Sequence, residues 1–235
     1  AWAVNGMAQA FMWPPLVKLM STFFSRDDYQ KSCVIVSWGS SFGTIMVYLM
    51  SPVCIYLAGW RAIFFLSGAA AIIMAVVWLF KCPNIASEDS GKKEKSSGKI
   101  PQTYMTVLIM IMLAIVLQGI LRDGVTTWMP SYISETFNLD SKTAILTGVV
   151  LPIFSILAFQ ITSLVYRRAI KSEMLLAGII FTIGFAAAFL LFVTNGVSAG
   201  LSVGLSALLT GCMHGVNLIL TCMIPPYFEK SGHIS

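Results

Sequence analysis

The sequence predicts an all-α membrane protein, a helical bundle of about seven transmembrane helices, and three observations carry that prediction. Hydrophobic residues make up 57% of the 235 residues and charged residues only 11%, where an ordinary soluble chain carries about 25% charged residues. A soluble domain of this length needs more polar surface than that to coat its core. The apolar residues also gather into seven blocks. Each is close to the roughly 20 residues, rising 1.5 Å apiece, that cross a hydrocarbon layer about 30 Å thick. Finally, the blocks show no alternation of apolar and polar residues, which argues against a transmembrane barrel. Helices then remain as the way to satisfy every backbone group in lipid.

The blocks fall at approximately 1–24, 33–57, 60–80, 105–127, 144–165, 174–193 and 199–224. Between the third and the fourth lies the one clear break in composition, residues 81–103, rich in Ser, Gly and Lys with Pro83 and Pro101 near its edges. Such a segment reads as a flexible polar linker. The other connections are short, so neighbouring helices are expected to run antiparallel. Because the chain opens without Met and already inside an apolar stretch, it is read as an internal piece of a longer protein. Expressed alone, it is expected to aggregate or misassemble.

Basic residues set the orientation. If the first block exits into the cytoplasm, that side holds eleven of the fifteen basic residues, namely Arg26, Lys31, Lys81, Lys92, Lys93, Lys95, Lys99, Arg167, Arg168, Lys171 and Lys230. The other side holds Arg61 and Lys142, while Lys18 and Arg122 lie within blocks. The positive-inside rule therefore places linker 81–103 and the C-terminal end in the cytoplasm. It also accounts for the net charge of +5 and pI near 9.0 without nucleic acid, since no basic-aromatic patch is present. Five cysteines, Cys33, Cys54, Cys82, Cys212 and Cys222, show neither paired nor zinc-like spacing. Four of them, in or at the edge of apolar blocks, read as small packing residues, and no metal or cofactor is expected.

Charged residues inside membrane helices are costly and so point to function. Lys18 lies within snorkelling reach of the cytoplasmic end of its helix. Arg122, in LQGILRDGVTTWMP, lies about 8 Å from the outer end by helix rise. It can pair with Asp123 or reach the surface. Its planar fork of donors can also hold a phosphate or carboxylate on two points. Gln118 stands four residues before it. His214 and Asn217, three apart in TGCMHGVNLILTCMIPP, share one helix face. Each of these, like the pair Asn5 and Gln9, competes with the blander reading of interhelical hydrogen bonding. Trp38 is a candidate to line the path through the bundle. Apart from Asp123 no carboxylate lies in any block, which favours exchange over proton symport. Gly39-Ser40-Ser41-Phe42-Gly43 matches the G-x-S-x-G nucleophile pattern but sits in a membrane helix, not in the strand-turn-helix elbow the pattern requires. Gly39 and Gly43 read instead as a GxxxG packing face, and no enzyme is expected.

With these residues in view, NGMAQAFMWPPLVKLMSTFFS (residues 5–25) resembles the fourth helix of the organophosphate:phosphate antiporter family of the major facilitator superfamily. VSWGSSFG (36–43) is similar to the family's fifth helix, GWRAIFFLSG (59–68) to the entry of its sixth, and LRDGVTTWMPSYI (121–133) to the end of its seventh. The resemblance implies helices four to ten of twelve. Residues 1–80 then end the first six-helix half, 81–103 join the halves, and 104–235 begin the second. It also implies that Arg122 is the seventh-helix arginine that binds phosphate, with a second arginine on the first helix. The chain departs from the family in carrying Phe42 where a histidine is common and His214 where a tyrosine can stand. Its segment SLVYRRAIK (163–171) lacks the superfamily's Asp-Arg pair.

The expectation is a secondary transporter in a bacterial inner membrane, monomeric at full length, that exchanges a small organic anion, foremost a phosphate ester, for inorganic phosphate. Arg122, His214, Asn217, Gln118 and Trp38 would bind the substrate. The rivals are a carboxylate symporter driven by H⁺ or Na⁺ and a transporter-like sensor that binds without moving its ligand.

Overall fold

The structure is a computed structural model that describes residues 4, 6–8, 11–81 and 102–224. The described elements are all helical. They comprise α1 (Trp13–Phe23), α2 (Arg26–Ala58), α3 (Arg61–Lys81), α4 (Gln102–Phe137), α5 (Ser141–Thr147), α6 (Val150–Arg168), α7 (Glu173–Val193) and α8 (Ala199–Leu218), which ends in a π-helical turn, Ile219–Met223. Six stretches among the described residues are long and apolar enough to cross a membrane: Asp28–Ala58, Arg61–Lys81, Met105–Phe137, Ser141–Arg168, Glu173–Val193 and Ala199–Met223. They match the second to seventh predicted blocks. The first block is represented by α1. Asn5 and Gln9, and residues 82–101 of the expected linker, lie outside the described residues.

Several boundaries differ from the sequence reading, each for a local reason. Helix α2 begins seven residues early because Ser25 caps it, its hydroxyl oxygen accepting the Asp28 amide at 3.3 Å. It runs 33 residues, about 50 Å, and stops where Gly59 takes a φ of +76° that favours glycine. Helix α4 continues through Pro130 to Phe137, and Asn138 then adopts the left-handed conformation, φ 50°. The fifth block breaks into α5 and α6 at Gly148. Pro152 has no amide hydrogen for the Gly148 carbonyl, so the Leu151 amide takes that acceptor at 3.1 Å and tightens the turn.

Helix α8 is the centre of the bundle. It packs against α4, α6 and α7 and buries twelve residues. Small side chains allow the closeness: a Cβ on Gly215 would stand 2.6 Å from Thr162 Oγ1, and one on Gly211 would stand 3.2 Å from the Phe154 carbonyl oxygen. Gly211 and Gly215, four apart, are thus the close-packing pair. The expectation for Gly39 and Gly43 is corrected: an added Cβ there meets nothing within 4 Å among the described residues. Helix α3 is the opposite extreme. It buries no residue and exposes Phe64, Phe65, Ile72, Ile73, Leu79 and Phe80, as a lipid-facing helix does.

Two apolar clusters brace the bundle's ends. One gathers Met20, Cys33, Val34, Phe159, Val216 and Ile219, and the other Met129, Ile133, Leu151, Val203 and Ala207. The cysteines at 33, 54, 212 and 222 are unbridged, and all but Cys54 are buried, in line with packing roles. At the Gly59 end, Arg61 lies over the Trp60 ring at 5.0 Å and Lys142 over the Tyr56 ring at 5.5 Å. Arg61 and Lys142 therefore share one end of the molecule, as the charge count requires.

Candidate functional site

Between the two apolar clusters, where α2, α4, α6 and α8 meet, lies a cavity of about 50 Å³. Its walls are Ser40, Ser41 and Thr44 of α2, Thr126 of α4, Leu151, Pro152 and Ser155 of α6, and Thr210 and His214 of α8. Hydroxyl groups dominate, and no charged side chain lines it.

The directions of the hydrogen bonds decide what this cavity offers. Thr44 Oγ1 donates to the Ser40 carbonyl at 3.1 Å, Thr126 Oγ1 to the Arg122 carbonyl at 2.7 Å, and Ser155 Oγ to the Leu151 carbonyl at 3.0 Å. A hydroxyl has one hydrogen, so these three present lone pairs to the cavity. His214 Nδ1 lies 3.0 Å from the Thr210 carbonyl oxygen. That oxygen can only accept, so Nδ1 carries the hydrogen, and Nε2 of the neutral ring is an acceptor. Phe159 holds the ring edge-on at 5.5 Å between centroids. Thr210 Oγ1, on a residue only 1% exposed, has no partner among the described residues. The cavity is therefore rich in acceptors and suits a ligand that donates, such as the hydroxyl group of a small solute.

Arg122 stands one turn from Thr126 on α4. Its Nε and Nη2 hold Asp123 Oδ1 and Oδ2 at 2.8 and 3.2 Å. The arginine side chain is 27% exposed and the aspartate 67%. This is the pairing that the sequence left open for Arg122, and with so exposed a carboxylate it contributes only about 0.2–1 kcal/mol. An incoming anion can displace it.

The five expected residues do not converge on one point. His214 lines the hydroxyl cavity, and Asn217 lies half-buried one turn further along α8. Gln118 is 1% exposed, with Nε2 unpaired among the described residues. Trp38 lines a separate groove towards the other end of α2 and α6, and it also packs on the larger apolar cluster. Thr44, Thr126, Ser155 and Thr210 were missed. The signal lay in extending the polar i, i+4 steps: 118, 122 and 126 form one stripe, and 210 and 214 another.

Ser41, dismissed with the G-x-S-x-G match, does share the cavity with His214. The arrangement is still not that of a nucleophile. Ser41 lies within continuous helix, and the group orienting His214 is a backbone carbonyl. Among the described residues no group of three or more His, Cys, Asp or Glu is placed to hold a metal ion.

Long apolar helices packed around a small polar cavity define a polytopic membrane protein with an internal binding space. The chain belongs to the Major Facilitator Superfamily, whose family model matches residues 1–233. Among curated proteins it is similar to a "Probable hexose phosphate transport protein" of Chlamydia muridarum, 22% identical over 173 residues, covering 61% of this chain and 38% of that protein. A protein of the same description from Chlamydia trachomatis is 28% identical over 76 residues, covering 32% of this chain and 17% of that protein. The chain thus spans well under half the length of the relatives it matches. No solved structure gives a significant match.

Proposed function

We propose that the protein is a secondary active transporter that exchanges a small phosphate ester for inorganic phosphate by alternating access. The observation that carries this reading is the juxtaposition on α4 of two complementary chemistries. Arg122 supplies a cationic fork, and one turn away Thr126 opens into a cavity of acceptors. A molecule with an anionic phosphate at one end and hydroxyl groups at the other satisfies both. Family membership and the description of the chlamydial relatives support the same substrate class.

In this reading residues 1–80 and 104–235 belong to opposite halves, so α2 comes from one half and α4, α6 and α8 from the other. The cavity then lies between the halves, where rocking exposes it to each side in turn. Linker 81–103 faces the cytoplasm, and the membrane is the plasma membrane.

The test uses the full-length protein in liposomes loaded with phosphate, following uptake of labelled external phosphate by wild type and Arg122→Lys. Lysine keeps the charge and loses the fork, so the expected result is rapid wild-type exchange that falls at least about tenfold in the variant, a loss of ~1.4 kcal/mol. Wild-type exchange that the variant preserves would remove Arg122 from the site. Absence of wild-type exchange would reject phosphate antiport and bring forward uptake driven by an H⁺ or Na⁺ gradient.

A further inference from the structure

We propose that the groove between α2 and α6, well away from Arg122 and the hydroxyl cavity, is a second oxyanion site that takes a phosphate group. Lys31, Val34, Ile35 and Trp38 form one wall, and Gln160, Ser163, Leu164 and Arg167 form the other, around a space of about 290 Å³. That is close to the lower size limit of small-molecule pockets, about 300 Å³.

The chemistry of the walls selects the ligand. Lysine ammonium, arginine guanidinium and tryptophan indole donate hydrogen bonds and cannot accept them. Two cations line the same groove from different helices, and no carboxylate is among the lining residues. Asp28 lies 3.3 Å from Lys31 with both side chains more than half exposed, a geometry that binds weakly. Trp38 lines the groove and keeps Nε1 buried just behind that surface without an acceptor among the described residues, so a small turn of the ring would offer this donor to an oxyanion oxygen. Positive-inside placement explains why basic residues occur at this end. It does not explain an unpaired buried indole N–H on a residue that lines the same groove.

The phosphate group can belong to a free solute or to a lipid headgroup. The claim does not depend on the transport reading, because its test reads binding alone. Thermal unfolding of the full-length protein in a neutral detergent is measured in inorganic phosphate and in sodium chloride of equal ionic strength. Wild type, Arg122→Gln, Trp38→Phe and the double variant Lys31→Gln/Arg167→Gln are compared. In parallel, native mass spectrometry counts phosphatidylglycerol molecules retained by each protein. Lys31→Arg/Arg167→Lys, which keeps both charges, controls for folding.

The expected result is a phosphate-specific rise in Tm of about 2–4 °C. That rise survives Arg122→Gln, shrinks in Trp38→Phe and vanishes in the double glutamine variant. No phosphate effect, together with phosphatidylglycerol retention that the double glutamine variant loses, would support the same site with a lipid headgroup as its occupant. Phosphate and lipid responses that are both absent, or both unchanged by the double glutamine variant, would overturn the proposal.

Discussion

Tyr48 of α2 donates its phenolic hydrogen to the backbone carbonyl of Thr126 on α4, at 3.2 Å. Residue 130, four further along α4, is proline and has no amide hydrogen to offer that carbonyl. The tyrosine therefore supplies from a neighbouring helix the bond that α4 cannot make for itself. Its ring also fills the space beside Gly148, where an added Cβ would stand 2.6 Å from the Tyr48 ring. One side chain thus ties α2 to α4 and to the α5–α6 turn, beside the wall of the hydroxyl cavity.

Tyr48→Phe should lower stability by about 1–3 kcal/mol, because a partly buried carbonyl loses its second-helix partner. Pro130→Ala restores an amide to the same carbonyl, so the loss from Tyr48→Phe should shrink by half or more in that background. Unfolding of the four proteins of this double-mutant cycle measures the coupling directly. Additive effects would mean that the tyrosine hydroxyl does not stand in for the amide missing at Pro130, and no loss in Tyr48→Phe would mean that the tyrosine acts through ring packing alone.

Gly215→Ala should destabilise by about 1–3 kcal/mol, since its Cβ meets Thr162 Oγ1 in a tightly packed interior. Gly211→Ala should follow in the same direction, because the nearest atom is a backbone oxygen that cannot rotate away. Gly39→Ala and Gly43→Ala face open space among the described residues and should be neutral or stabilising by up to about 1 kcal/mol, since alanine is the better helix former. Thermal unfolding in one detergent ranks all four, and equal losses at 39 and 215 would contradict the packing described.

That contrast shows what the sequence made legible and what it did not. Block length and hydropathy placed the six described spans, because lipid imposes one length on every crossing helix. GxxxG spacing occurs at 39–43 and at 211–215 alike. Only the arrangement of helices decides which pair meets a neighbour, and α8 is central while the 39–43 face is open. The site was legible in the same partial way. Arg122 and His214 stand out because charge and imidazole are rare in membrane helices. Serine and threonine are common there, and they gain meaning only when α2, α4, α6 and α8 bring them to one cavity. The pairing of Arg122 with Asp123 was readable from adjacency, whereas the buried, unpaired state of Gln118 was not.

If Arg122 holds the anion as proposed, Asp123→Asn should strengthen its binding. The exposed carboxylate competes for the Arg122 fork, and removing a pair worth about 0.2–1 kcal/mol should lower the apparent KM for phosphate by about 1.4- to fivefold. Exchange rates over a range of phosphate concentrations in liposomes give this value. A raised KM would show that Asp123 orients Arg122 for the substrate instead of competing with it.

Thr210→Val separates recognition of hydroxyl groups from recognition of phosphate. The substitution keeps the shape of a buried side chain whose hydroxyl has no partner among the described residues, so stability should stay the same or rise by up to about 1 kcal/mol. A hydroxylated phosphate ester loses one partner in the cavity, and its KM should rise about tenfold for a bond of roughly 1.4 kcal/mol. In the proposed function, phosphate self-exchange rests on Arg122 and should change less than about twofold. His214→Gln should act in the same direction, since it removes the Nε2 acceptor of a ring that the Thr210 carbonyl, through Nδ1, and Phe159 hold in place. Competition between labelled phosphate and a series of phosphate esters with increasing numbers of hydroxyl groups reads both effects in one assay. If the two variants weaken inorganic phosphate and the esters equally, the cavity serves the anion as well, and the division of labour along α4 is wrong.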